Sequence, residues 1–594
     1  ASSSPKFTLI GGTLPAHRNV ISGNVGSGIY VGHPTMTNVT ISGNWIGVGT
    51  NGVASVPNQG SGISIGQGAT IKIGGVTADE RNVIANNGNT GIYASKATNL
   101  FIQGNWIGYN ANRGNAGNQS SSIGLDNCVG PRVGGAGVDL RNYIGNAAGS
   151  AISLWNGTRN GFIQGNIIGL GTTGTGSGPI SQTAITVSGG AHTNMIGGTT
   201  AGTANIIGNA QGGVGMWDAG TTNNRVYGNW IGFQTNGSSA PISGTGVSLS
   251  TSSSGNYVGG VPVAQRNVIG NCQNGIGVWT STSNFIVGNW IGIGPSSQAA
   301  ALSSSGVSLG NSANGNRITD NVIGHVPQDG ISLWNSSSSN HVERNLIGFK
   351  PDGIGVATIG QRGVLINSGA SNNTIGGVDA RFGNRIGNAA SAVGIFDASN
   401  NRVEGNTFGR NASGSPALFT GDVVTIWNAS IGNWIGGTQA GQGNIITGGE
   451  NGVAVGGASA ASNRIRINSI FDNRRLGINL YGNDGAFGVT ANDSLDSDSG
   501  PNGLSNFPSV SSVSVNGANV TVTGSLSAKP STSYTVDIYV SEAADPSGYG
   551  EGQTYLGSLT VTTNASGFAS FGTSFLNVSG SYVSATATDA AGNT

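Results

Sequence analysis

Five residues recur along this chain at a nearly fixed period. Gly-Asn-Trp-Ile-Gly stands at 43–47 and returns at 104–108, 228–232, 288–292 and 432–436, with a looser copy at 165–169. A second phrase, Asn-x-Ile, recurs at Asn19, Asn82, Asn142, Asn205, Asn267, Asn321, Asn384 and Asn444, a spacing of about 60 residues. Most copies follow Ile-Gly-Gly or Val-Gly-Gly, as at Ile73-Gly74, Val133-Gly134 and Ile196-Gly197. A chain built this way folds by stacking, because one repeat cannot bury its apolar face alone.

Within each unit the apolar residues alternate with small or polar ones over two to four positions, and a Gly-Asn corner follows. That is the pattern of short strands joined by tight corners. The composition agrees, with 107 Gly among 594 residues, because Gly and Asn tolerate left-handed backbone angles and Ile and Val suit a pleated surface. Three sub-phrases per unit predict three rungs of about 20 residues, hence roughly two dozen rungs from Phe7 to Leu480.

The recurring Asn-x-Ile-x-Gly-Asn-x-Ile-Gly resembles the right-handed parallel β-helix repeat family, over about four-fifths of the chain. The resemblance implies an all-β fold, a shaft of stacked Ile and Val, and a ladder of corner Asn side chains bonding rung to rung. Asn44, Asn105, Asn166, Asn229, Asn289, Asn345 and Asn406 suit that ladder. Trp45, Trp106, Trp230 and Trp290, each between an inward Asn and an inward Ile, are then expected to point outward. Trp434 sits in an Ile-Gly-Gly phrase instead and belongs to another column.

A second aromatic column follows Ile-x-Leu-type pairs: Trp155, Trp217, Trp279, Trp334 and Phe396. Three rungs between neighbours would space these rings about 14 Å apart. They either cover a corner and shield the stacked core, or form a platform for sugar rings or a partner surface, since flat aromatic faces bind both of these well.

Charge is scarce and balanced, with 24 basic and 24 acidic residues. No basic surplus neutralises phosphates, so nucleic acid is not an expected partner. No apolar run reaches membrane-spanning length. Cys128 and Cys272 fall in different parts of the repeat and read as unpaired thiols. Charge concentrates at Arg317, Asp320, His325, Asp329, His341, Glu343 and Arg344. Asp320, Asp329 and Glu343 with His325 are candidate catalytic residues, because paired carboxylates are what glycosidic cleavage needs. The catalytic signatures of β-helix lyases and hydrolases are not matched as a set, and a structural salt-bridge patch filling an irregular rung is the alternative reading of the same residues. Asp493, Asp496, Asp498 and Asn502 form a second motif, whose oxygens could wrap a calcium ion.

From Phe507 the texture changes to longer alternating strands, with a hairpin at Asn516-Gly517. This resembles the immunoglobulin-like terminal modules of bacterial secreted and surface β-helix proteins. The expected organisation is a parallel β-helix over 1–482, an Asp-rich linker over 483–506 and a β-sandwich over 507–594. The first rung shows no cap, so either the chain is cut from a longer protein or its head docks on the tail of another copy, with Ser2–Lys6 of a neighbour supplying strand pairing there. Two functions are consistent with these features. One is a secreted or cell-surface solenoid, structural or adhesive, self-associating or binding an extracellular polysaccharide through outward Trp. The other is a polysaccharide lyase or glycoside hydrolase with its groove near Trp279, Asp320, Asp329, Trp334 and Glu343.

Overall fold

The computed structural model describes residues 7–33, 36–482 and 488–594. The pairing expected of Ser2–Lys6, and the start of the expected linker, lie outside the described residues. The protein is a right-handed parallel β-helix of about 15 turns, followed by antiparallel sheets. It divides into two compact units, 1–307 and 308–594.

In the first unit each coil gives one strand to each of three parallel sheets. Sheet A takes Thr37–Ser42, Gly68–Gly74, Ala97–Gln103 and Arg132–Gly134 in successive coils. Sheet B takes Trp45–Ile46, Val83–Ile84, Trp106–Ile107 and Tyr143–Ile144. Sheet C takes Ile63–Ile65, Ile92–Ser95, Ile123–Asp126 and Ile152–Trp155. The second unit repeats the arrangement, as in His341–Glu343, Leu346–Ile347 and Arg362–Asn367.

The register corrects the expected two dozen rungs. Ile102 pairs with Ile73 on one side and Val133 on the other, so one coil takes roughly 30 residues and the repeat unit spans two coils. The three sub-phrases are not three coils. The Gly-Asn-Trp-Ile-Gly coil inserts its loop between sheets B and C, and the Ile-Gly-Gly coil inserts its loop between sheets A and B. Alternate coils therefore look different while stacking in register.

Ile41, Ile46, Ile63, Ile71, Ile73 and Ile84 are fully buried and line the shaft. The corner between sheets A and B carries the expected Asn ladder, with twice as many members. Asn44 donates from Nδ2 to Asn82 Oδ1 at 3.1 Å, Asn82 to Asn105 at 2.9 Å, and Asn105 to Asn142 at 3.1 Å. In the second unit the same ladder runs from Asn321 to Asn345, Asn384, Asn406, Asn444 and Asn468. A second ladder runs along the corner from sheet C into sheet A, through Asn340, Asn373, Asn401 and Asn433. An amide missing from either column leaves a dry partner unsatisfied, at about 1–3 kcal/mol.

The outer glycines of the pentapeptide have a geometric cause. Gly104 and Gly108 have φ of +71° and +83°, in the left-handed region that glycine enters without strain. A Cβ on Gly108 would lie 1.8 Å from the carbonyl oxygen of Gly145 in the next coil.

At the other end, two three-stranded antiparallel sheets enclose Val522, Leu526, Val536, Ile538 and Phe571. They seal the last coil of the second unit. Ile470 donates its backbone N–H to Gly552 O at 2.9 Å, and Ile467 donates to the Tyr539 hydroxyl at 3.0 Å. Arg466 grips the fully buried Asp537 through two hydrogen bonds of 2.7 and 2.6 Å. The edge that a parallel sheet would otherwise present is satisfied within the chain.

Candidate functional site

Outward side chains meet three different fates on the three sheets. On sheet B the pentapeptide Trp does leave the shaft, as expected, but it enters a second apolar layer. The loop after it doubles back as a small hairpin, bridged Val48 to Ser55 in one coil and Tyr109 to Asn115 two coils later. Trp106 is only 9% exposed and packs with Val83, Tyr109 and Ala116. Trp45, Trp230 and Trp290 are half-buried, and the last two pack against Phe233, Val268 and Ala300. Arg18, Arg81 and Arg266 lie over Trp45, Trp106 and Trp290, with guanidinium carbons 4.4–4.6 Å from the ring centroids. This column is structural.

On sheet C the second aromatic column is open. Trp155, Trp217 and Trp279 in the first unit are half-buried, as are Trp334, Phe396 and Trp427 in the second. Each Trp ring rests on a glycine. A Cβ added to Gly215 or Gly277 would sit 2.4 or 2.0 Å from the indole of Trp217 or Trp279. Gly124 underlies Trp155, Gly310 underlies Trp334, and Gly456 underlies Trp427. Trp334 is also fixed by its Nε1 donating to Ser308 Oγ at 3.0 Å. One face of each ring is seated and the ring is not free to rotate. In the first unit these Trp occur on every second coil, about 10 Å apart. That replaces the expected 14 Å, because a repeat unit holds two coils and not three. Trp427 was missed because its Ile-Trp step lies one coil, not two, beyond Phe396.

The candidate catalytic residues are dispersed within the second unit. Asp320 and Glu343 lie at the end of sheet A. Arg344 binds Asp320 through two hydrogen bonds of 2.9 Å and reaches Glu343 at 3.7 Å. Glu343 also takes Arg317 at 3.2 Å and His341 at 3.4 Å. Its carboxylate is buried and its oxygens are engaged by cations. Asp329 lies at the corner before sheet C, where it accepts the backbone N–H of Arg362 at 3.2 Å. Burial raises its pKa, against the opposing effect of Arg362. Arg362 in turn lies 4.8 Å over the Phe396 ring. His325 sits in the loop after sheet B, where burial and Lys350 lower its pKa and favour the neutral imidazole. The sequence missed Glu404, buried on sheet A, whose pKa is raised by burial and which accepts from Gln442 at 3.1 Å.

Asp493, Asp496 and Asp498 converge, with one oxygen from each within 4.8 Å of the others. Burial raises the pKa of Asp496 and of Asp498, and the neighbouring carboxylates add to it. Lys529 stands 3.7 Å from Asp496. Asn502 is engaged elsewhere: its Oδ1 accepts from Asn463 at 3.2 Å, as the last member of the second Asn ladder. Cys128 and Cys272 are free, and burial pushes their thiols up to about 11 and about 12.

Neither a protein-family model nor a curated protein matches the sequence. Among solved structures the chain is similar to the Dettilon tailspike protein at 14% identity, over 84% of this chain and 87% of that one, with a TM-score of 0.33. It is similar to the periplasmic alginate epimerase AlgG at 12% identity, over 74% and 84%, with a TM-score of 0.28. PfbA, a surface adhesin of Streptococcus pneumoniae, matches at 11% identity over 75% and 83%, with a TM-score of 0.20. At these scores the likeness carries no argument about what this chain binds. Among the described residues no helix is long and apolar enough to cross a membrane.

Proposed function

We propose that this protein is a secreted or cell-surface β-solenoid that binds a polysaccharide along the outer face of sheet C. The observation that carries the reading is the seating of Trp155, Trp217 and Trp279 on small residues. A ring held on one face and open on the other is pre-organised for an apolar sugar face, so little entropy is lost on binding. The regular interval of about 10 Å suits an extended chain better than a single sugar. The dispersal of Asp320, Asp329, Glu343 and His325 gives no support to the enzymatic alternative.

The test is retention of the protein on a panel of neutral polysaccharides, for wild type and for a W155A/W217A/W279A variant. Each seated ring is worth on the order of 1 kcal/mol, so the variant should lose at least about tenfold in affinity. A variant that folds and binds as wild type would sink the reading. The reading also includes a calcium ion held by Asp493, Asp496 and Asp498, with a fastening rather than a chemical role. Calcium should then raise the melting temperature of wild type but not of D493N/D498N. Equal melting temperatures with calcium and with a chelator would remove the ion from the account.

A further inference from the structure

The outer face of sheet A differs from both others. Its strands in the first unit, from Thr37–Ser42 to Phe285–Val287, contain no Asp or Glu. They contain Lys72, Arg132 and Arg225, all exposed, and Arg159 bridges onto the same face. In a chain of zero net charge, this is a segregated cationic line along the coil axis. The corresponding strands of the second unit carry Glu343 and Glu404 among their arginines, so the line is confined to the first unit.

The cations are also held. Arg132 pairs in register with Phe101 on one neighbouring strand and Phe162 on the other. Its guanidinium carbon lies 5.7 and 5.3 Å from their ring centroids. Two flanking rings keep an exposed, flexible side chain upright at modest cost. Arg225 stands beside Tyr257, whose ring stacks on Phe285 at 4.5 Å and 8°. Tyr257 and Phe285 each give one ring face to their mutual stack, and Phe101 and Phe162 flank the Arg132 guanidinium. They position the arginines instead of offering stacking planes to nucleobases.

We propose that sheet A of the first unit is a second binding face, specific for an acidic polysaccharide whose carboxylates meet Lys72, Arg132, Arg159 and Arg225. Lys72 and Arg132 lie two rungs apart and Arg132 and Arg225 three, about 10 and 15 Å along the axis, so every second or third uronate of an extended chain can meet a cation. The polymer class rests on the polysaccharide reading of sheet C, and the charge preference rests on sheet A alone. Nucleic acid fits less well, because four cations spread over several coils are sparse for a phosphate backbone and the neighbouring rings are engaged with Arg132 or with each other.

The experiment compares binding of polygalacturonate and of a neutral glucan of matched length by wild type, R132A/R225A and W155A/W217A/W279A. Wild type should bind the polyuronate at least about tenfold more tightly, and the preference should fall as ionic strength rises. R132A/R225A should lose roughly tenfold for the polyuronate and nothing for the glucan. The Trp variant should weaken the glucan and retain the charge preference. Equal wild-type affinity for the two polymers overturns the inference and leaves the sheet C reading standing. So does an R132A/R225A variant, shown folded by its melting curve, that keeps the preference. Single-stranded DNA bound as tightly as polyuronate would also overturn it, as plain ion exchange. Should the alanine variant not fold, R132Q/R225Q serves the same comparison.

Discussion

Residues 104–108 and 432–436 spell the same pentapeptide and occupy different parts of a coil. Asn105 belongs to the ladder between sheets A and B, and Trp106 lies on sheet B beneath a hairpin. Asn433 belongs to the ladder entering sheet A, and Trp434 lies on the outer face of sheet A. There it stands between Arg402 and Arg464, at 5.1 and 4.7 Å. Both corners need an Asn succeeded by an outward and an inward residue, so the pentapeptide serves either. The residue just past its second Gly decides the fate of the ring. After Gly108 comes Tyr109, which is fully buried and turns the chain back over Trp106. After Gly436 comes Gly437, and the loop beyond it is tied to Gln442, whose Oε1 accepts from the backbone of Thr438 and Gln439. The first Trp becomes core and the second stays at the surface.

The comparison breaks most sharply at Trp106. Trp106→Ala opens a cavity in the layer above sheet B and should cost about 3–5 kcal/mol, whereas Trp434→Ala should cost under about 1 kcal/mol. Chemical denaturation of the two variants checks this, and equal losses would erase the distinction between covered and open columns.

A comparable effect is expected where the second unit is sealed. Glu551 is buried against Asn473, which donates to it from Nδ2 at 2.8 Å. Burial pushes its carboxyl up to about 7. The folded state thus holds the proton more tightly than the unfolded chain does. The stabilisation is full below the ordinary glutamate range near pH 4.5 and is lost as pH rises through about 7, by about 3 kcal/mol. Melting temperature should fall over that interval in wild type and stay flat in E551Q. A wild-type profile as flat as that of E551Q contradicts the assignment.

The ladders predict a smaller loss that is alike at both copies of the pentapeptide. Asn105→Ala and Asn433→Ala should each cost about 1–3 kcal/mol, because each leaves buried partners in the adjoining coils unsatisfied. If only one of them destabilises, the two corners are not equivalent. Smallest of all should be the stability change in Trp155→Ala, whose ring has one face in solvent. A change within about 1 kcal/mol keeps it on the open side of the comparison.

These differences were only partly legible in the sequence. The parallel β-helix, the Asn ladder and the outward direction of Trp45 and Trp106 arise from local alternation, which a single strand and corner fix. Coil length does not. Three sub-phrases resemble three rungs, and only the pairing of Ile102 with Ile73 and Val133 shows that two coils share them. The cover over sheet B had a signal in the apolar residue after the pentapeptide: Val48, Tyr109, Phe233 and Ile293 are all buried. The charged residues 317–344 looked like one cluster because they are close in sequence. A coil carries the chain round all three sheets, so Asp329 ends at a different corner from Asp320 and Glu343. The cationic line of sheet A was invisible for the opposite reason, since Lys72, Arg132 and Arg225 are far apart along the chain and meet only by stacking.

The most direct measurement is hydroxyl-radical footprinting of the intact protein with and without a saturating polysaccharide. The account predicts that Trp155, Trp217 and Trp279 are oxidised in the free protein and protected in the complex, while Trp106 resists labelling in both. Protection that falls on the Trp of sheet B, or none at Trp155, Trp217 and Trp279 in a proven complex, would contradict it.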